Sequence, residues 1–316
     1  MAYPAIRARL DHGEVVLLDG GIGTELIRRG VYWRGHGLER APEVVRAVHL
    51  DYIAAGADVI TTNTFQLTRR AYLSQFHDLG HMRRIGAEGL EHKAARLVER
   101  AAALARQARE QAGREVAIAG AMAPVEHCFR PDLAPPPEQA RAEHRETARQ
   151  LAQAGVDLIL LEAMNTVTEA RVALEAAGET GLPVWISLLC DEQARLLGGE
   201  PLSTAVAALE PLGPDAILLN CAPPPDITAA LRELVRGRRG PTGAYAHIGR
   251  YDPPSWKFTF FPRFTGTEAY PPARYLEQAR TWVELGAQLI GGCCGTTPDH
   301  IRALRAGLSG RLGARS

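Results

Sequence analysis

No run of about 18 consecutive apolar residues occurs in the 316-residue chain, so the sequence offers no transmembrane helix. The opening residues, Met1 to Arg7, contain no apolar segment of the kind that forms a secretory signal core. Neither sign of charge is in excess, with 36 Lys and Arg against 36 Asp and Glu. That balance argues against nucleic acid or anionic membrane as the main partner. Cysteine is scarce: five residues, an odd number in a chain of this length, do not make a secreted disulfide framework. These absences together predict a protein of the reducing cytoplasm. No internal repeat and no linker divides the sequence, so residues 1–316 read as one domain.

What is present is a regular alternation. Short apolar, β-rich runs at 15–18, 59–62, 116–119, 158–161, 184–189, 216–219, 244–247 and 288–291 alternate with helical patterns at 42–55, 84–111, 137–154, 169–180, 203–210, 227–235, 273–285 and 298–308. Three phrases, Ala55-Gly56-Ala57-Asp58, Ala154-Gly155-Val156-Asp157 and Leu285-Gly286-Ala287-Gln288, end a helix on glycine and lead into the next strand. The strands lack polar alternation, as expected for a parallel sheet buried on both faces. Eight strands alternating with eight helices predict an α/β fold, the (β/α)8 TIM barrel.

In such a barrel the chemistry lies at the carboxyl ends of the strands. There the sequence places Asp19, Gly20 and Gly21 after strand 1, and Thr62, Asn63 and Phe65 after strand 2. Glu162 follows strand 4, Asn220 and Cys221 strand 6, His247 strand 7, and Cys293 and Cys294 strand 8. Adjacent cysteines after a glycine pair, in Gly291-Gly292-Cys293-Cys294-Gly295-Thr296-Thr297-Pro298, can both turn onto one soft metal ion. Thr297 reads as a helix N-cap and Pro298 as the first helical residue, which puts both sulfurs near the positive end of a helix dipole. Strands 6 and 8 lie two apart around the barrel, so Cys221 can complete a set of three thiolates. Three protein ligands with one open position describe a catalytic zinc site. Cys190 reads as core or rim, and Cys128 as a loop residue.

These phrases resemble the homocysteine S-methyltransferase family. The resemblance rests on Leu18-Asp19-Gly20-Gly21-Ile22-Gly23-Thr24-Glu25-Leu26, on Gly56 to Phe65, on Asn220-Cys221 and on Gly291 to Pro298, and it spans nearly the whole chain. It implies a (β/α)8 barrel, zinc held by Cys221, Cys293 and Cys294, and an amino-acid substrate held by Asp19–Gly21 and Glu162. The chain departs from the family's pattern after strand 7, where Tyr245-Ala246-His247-Ile248-Gly249 replaces a Pro-Asn-Ser-Gly-like phrase. It departs again after Glu162, where Ala163 stands in place of threonine.

A thiol with a pKa near 8.5 is mostly protonated at neutral pH, and zinc ligation ionises it. With that chemistry, the resemblance implies methyl transfer from a small cationic donor, a sulfonium such as S-methylmethionine ahead of betaine, to the thiol of homocysteine, giving methionine. Two alternatives stand beside it: methyl taken from a separate corrinoid or folate partner, and a zinc-holding redox or regulatory barrel without turnover. Glu162 fits either the substrate ammonium or a rim salt bridge, and Asp19 either substrate contact or an Asx turn. His247 fits a substrate donor, a metal neighbour or a packed rim residue. The aromatic loop 251–264, and Tyr32-Trp33, fit either packing or a wall for a cationic donor.

Overall fold

The strands of the barrel are largely runs of apolar or small residues buried on both faces, as the absence of polar alternation requires, with Glu162 and Asn220 as polar exceptions near the carboxyl ends of their strands. The structure, a computed structural model, describes residues 2–31, 34–73, 89–252, 263–308 and 310. Its strands are β1 (Val16–Leu17), β2 (Val59–Thr61), β3 (Ala117–Met122), β4 (Leu158–Met164), β5 (Val184–Leu188), β6 (Ala216–Asn220), β7 (Thr242–Tyr245) and β8 (Leu289–Ile290). They form one parallel sheet ordered β1-β8-β7-β6-β5-β4-β3-β2. A parallel bridge from Leu18 to Val59 joins its two edges and closes the expected (β/α)8 barrel.

Aspartates just before the strands secure the lower edge. Asp58, Asp157 and Asp215 each accept a backbone N–H from the neighbouring strand, of Leu17, Ile118 and Val184 respectively, all at 2.9 Å. This accounts for the aspartate in two of the repeated glycine phrases: it satisfies a donor at the end of the sheet that the ladder leaves open.

Two apolar layers follow from strand alternation. Outward residues such as Leu17, Ile60, Ile118, Ile159, Ile186, Ile217 and Ile290 pack against the surrounding helices. Inward residues such as Val16, Leu18, Val59, Leu158, Leu160, Trp185, Leu218 and Leu289 fill the barrel. The helix Tyr3–Asp11 plugs the amino end, adding Tyr3, Ile6 and Leu10 to that interior, with the Tyr3 ring 6.1 Å from Trp185.

The helices match the expected pattern closely, as in Pro42–Ala55, Pro137–Gln153 and Pro298–Gly307. The expected helix 84–111 is described as Lys93–Ala112, and its first residues lie outside the described ones. The helices Tyr3–Asp11, Ile22–Arg28 and Arg69–Leu73 are additional. β7 ends at Tyr245, two residues before the expected 244–247. Its Thr242-Gly243 start does not look like a strand, yet glycine is required there. A Cβ on Gly243 would stand 2.6 Å from Leu289 Cβ and 2.7 Å from Leu218 Cδ2. β4 runs on to Met164 through a register shift between Leu161 and Met164, so Glu162 lies within the strand and not after it. In the aromatic loop, Arg250–Asp252 and Arg263–Thr265 form a small antiparallel ribbon. Residues 253–262, with Trp256, and the pair Tyr32-Trp33 lie outside the described residues.

Candidate metal and substrate site

The carboxyl ends of β6 and β8 bring three thiols together. One sulfur each from Cys221, Cys293 and Cys294 lies within 4.8 Å of the others, and Cys221 Sγ is 3.6 Å from Cys293 Sγ. A tetrahedral zinc with sulfurs at about 2.3 Å would set neighbouring sulfurs about 3.8 Å apart. The spacing and the soft donor set therefore fit zinc. Among the described residues this is the one such group of three metal-ligating side chains. Burial and mutual hydrogen bonding make the thiols unequal. Hydrogen bonds from Cys221 and Cys293 pull Cys294 well below the usual thiol range. Bonds with Cys293 and Cys294 push Cys221 up. Metal ligation requires all three as thiolates.

Local sequence explains the gathering. Cys221 sits just past β6 with φ +60°, a left-handed turn that swings it off the strand axis. Before it, Asn220 braces three strands: its Oδ1 accepts Ala163 N–H at 3.0 Å and Ser187 Oγ–H at 2.8 Å. Past β8, the Gly-Gly pair lets the backbone fold tightly against β1, with Gly292 N–H donating to Asp19 O at 3.0 Å. Gly21 faces the cysteine loop so closely that a Cβ there would stand 2.6 Å from Cys293 O. Thr297 caps the helix Pro298–Gly307 as expected, and its N–H donates to His300 Nδ1 at 3.1 Å.

Glu162 enters the barrel at the bulge in β4, where Ala163 takes φ +55°. A bulge at this point re-aims a side chain toward the mouth. Its Oε1 accepts the Tyr245 hydroxyl at 3.1 Å. Protein surrounds the carboxyl, leaving only a partial opening to the mouth. Burial first, and the charge of Cys293 second, push its pKa up to about 8. A carboxyl raised in this way is one that a neighbouring cation would lower again.

The other expected site residues divide by what their polar atoms already do. Asp19 is buried and ties β1 to β2: Oδ2 accepts Thr61 N–H at 2.8 Å and Oδ1 accepts Thr61 Oγ–H at 3.1 Å. Burial, with Glu162 nearby, raises its pKa well above the usual carboxylate range. Thr62 Oγ accepts Ala121 N–H at 3.1 Å and pairs with Thr64 Oγ at 2.7 Å, so its hydroxyl works inside the sheet. Asn63 Nδ2 donates to His36 O at 2.7 Å, and the His36 ring bonds Phe65 O at 2.7 Å, which organises the loop after β2. The Phe65 ring is half-buried against the core. Gly21 N–H donates to Thr296 Oγ at 3.2 Å, and Gly20 packs under the Tyr52 hydroxyl. His247 is buried, with Nδ1 2.8 Å from Cys221 O. Cys190 and Cys128 are buried outside the thiol cluster.

Sequence reasoning missed four residues that support the site. Tyr245 holds Glu162, Ser187 holds Asn220, and Thr296 answers Gly21. The Tyr275 hydroxyl lies within 3.2 Å of Ala246 O and 2.8 Å of Gly291 O. Only Tyr245 carried a signal, as a polar aromatic at the end of an apolar strand. The site thus offers a soft-metal cluster beside a carboxyl whose pKa a cation would lower, at the open end of a barrel sealed below.

Residues 16–308 match the family model described as homocysteine S-methyltransferase. The chain is similar to the homocysteine S-methyltransferase of Escherichia coli (strain K12), 33% identical across 95% of this chain and 97% of that one. It is also similar to the selenocysteine Se-methyltransferase of Brassica oleracea var. italica, 26% identical across 95% and 90%. Among solved structures, the metallated form of the homocysteine methyltransferase MmuM from Escherichia coli superposes with a TM-score of 0.77. It is 29% identical, and the match covers 95% of this chain and 99% of that one. The match runs through the barrel and every segment that carries the three cysteines: the chain belongs to the homocysteine S-methyltransferase family.

Proposed function

We propose that the protein transfers a methyl group from a small cationic donor, a sulfonium of the S-methylmethionine type, to the thiol of homocysteine, giving methionine. The observation that carries this reading is the cluster of three thiols within electrostatic reach of a half-buried carboxyl at the barrel mouth. Cys221, Cys293 and Cys294 would hold zinc. Zinc bound there supplies the Lewis acidity that ionises an incoming thiol at neutral pH.

The remaining roles belong to the chain. Glu162 pairs with the substrate ammonium, a cation that lowers its pKa again, and Tyr245 keeps it aimed. The substrate carboxylate is assigned to the Gly20–Gly21 turn. Thr62 and Asn63 act at one remove by holding the loop that presents Phe65 to the mouth. In the transfer, the thiol proton passes first to solvent. A sulfur lone pair then forms the new C–S bond while the donor's C–S bond breaks, its electrons returning to the donor sulfur. A sulfonium thereby becomes a neutral thioether. Three thiolates around a dication carry a net charge of about −1, and a fourth brings it to about −2. That charge favours a cationic donor. Five free cysteines support a reducing cytoplasm. No described helix is long and apolar enough to cross a membrane.

The test is a single-protein assay with zinc, homocysteine and either S-methylmethionine, betaine, a methylated corrinoid protein or methylfolate. Methionine is expected from the sulfonium without any partner protein. Turnover only with the corrinoid or folate arm would overturn the donor assignment.

A further inference from the structure

The three residues Ala246, His247 and Ile248, just past β7, touch both loops that carry the cysteines. On one side, Cys293 N–H donates to Ala246 O at 3.0 Å and Ile248 N–H donates to Cys294 O at 2.9 Å. On the other, His247 N–H donates to Ala222 O at 3.2 Å, and His247 Nδ1 lies 2.8 Å from Cys221 O. A carbonyl oxygen only accepts, so Nδ1 carries the hydrogen and donates. The Tyr275 hydroxyl steadies the span from behind, against Ala246 O and Gly291 O.

Cys221 is the residue that most needs holding. Its φ of +60° lies in the left-handed region, which is unfavourable for a residue bearing a Cβ and persists only where the surroundings enforce it. A return to the right-handed region would swing the thiol away from Cys293 and Cys294. Two bonds oppose that return, one on Ala222 O and one on Cys221 O, and both come from His247. Only the second comes from its side chain.

We propose that His247 is a positioning residue for the metal cluster: its ring locks Cys221 in the left-handed conformation that directs the third sulfur at the metal. This replaces a role in substrate contact. It rests on the reading that the three cysteines hold a metal, and it is tested apart from turnover.

The experiment measures zinc affinity, by competition with a chromophoric chelator, for the unsubstituted chain and for His247→Leu, His247→Asn and His247→Gln. Asparagine places an amide N–H where Nδ1–H stands, whereas glutamine reaches toward the Nε2 position. Leucine and glutamine are expected to weaken zinc binding by about 10–100-fold, and asparagine to stay near the unsubstituted value. The cobalt-substituted leucine variant is expected to show altered thiolate-to-metal charge-transfer bands, with unchanged far-ultraviolet circular dichroism. Unchanged affinity and spectrum in the leucine variant would overturn the proposal, and so would rescue by glutamine but not asparagine. Absence of metal binding in the unsubstituted chain would overturn the metal reading itself, and this inference with it.

Discussion

Aspartates bond the amino edge of the strands, but the interiors of the barrel's two ends are filled by different means. The amino end is filled by bulk: Tyr3, Ile6 and Leu10 from one short helix meet Val16, Leu158, Leu160 and Trp185 in an apolar plug. The carboxyl end is organised by hydrogen bonds, through Asn220 to Ser187, Tyr245 to Glu162, Thr61 to Asp19 and His247 to Cys221. Bulk tolerates small shifts, because dispersion and burial are non-directional. Hydrogen bonds fix direction, and a site that must aim three sulfurs and a carboxyl at one point needs direction more than volume. Stability should therefore be lost mainly by substitution below, and chemistry mainly by substitution above.

Four substitutions test that division, from the largest expected effect to the smallest. Replacing Cys293 by serine is expected to remove most bound zinc and all methyl transfer, because an alcohol oxygen is a poor substitute for a soft thiolate. Metal analysis and turnover check this, and thermal stability of the metal-free forms should hardly differ. Trp185→Ala is the reverse case: a fully buried indole is lost from the plug. About 3–5 kcal/mol of unfolding free energy should go, read by denaturant titration, while zinc stoichiometry of the folded fraction is kept. Glu162→Ala should keep zinc and stability but weaken homocysteine binding by on the order of 1.5–3 kcal/mol, seen as a raised KM. An unchanged KM would make Glu162 a rim residue. Tyr245→Phe removes only the hydroxyl that aims Glu162. The same assay should show a smaller loss, of about 0.5–1.5 kcal/mol.

The difference between the two ends also governs how much of each was legible in the sequence. Packing leaves its mark on composition, so the buried strands stood out as apolar runs and the alternation with helices gave the barrel. The plug helix escaped because Tyr3, Ile6 and Leu10 keep helical spacing over too few turns to declare it. The helix Ile22–Arg28 escaped because it opens inside a glycine-rich turn. The cysteines were legible because their side-chain chemistry is distinctive and their strands are near neighbours. What was not legible depends on cross-strand partners far apart in the chain: Asp19 with Thr61, Asn63 with His36, Tyr245 with Glu162. Residue type put Thr62 and Asn63 at the mouth, but their atoms are committed to the backbone of the neighbouring segment.

The central claim is that one metal sits on Cys221, Cys293 and Cys294 with a position left open for the substrate's sulfur. X-ray absorption at the zinc edge, on the protein with and without homocysteine, tests it most directly. The account predicts one zinc per chain with three sulfur neighbours, rising to four when homocysteine is added. A shell of fewer than three sulfurs, or one that homocysteine leaves unchanged, would contradict it.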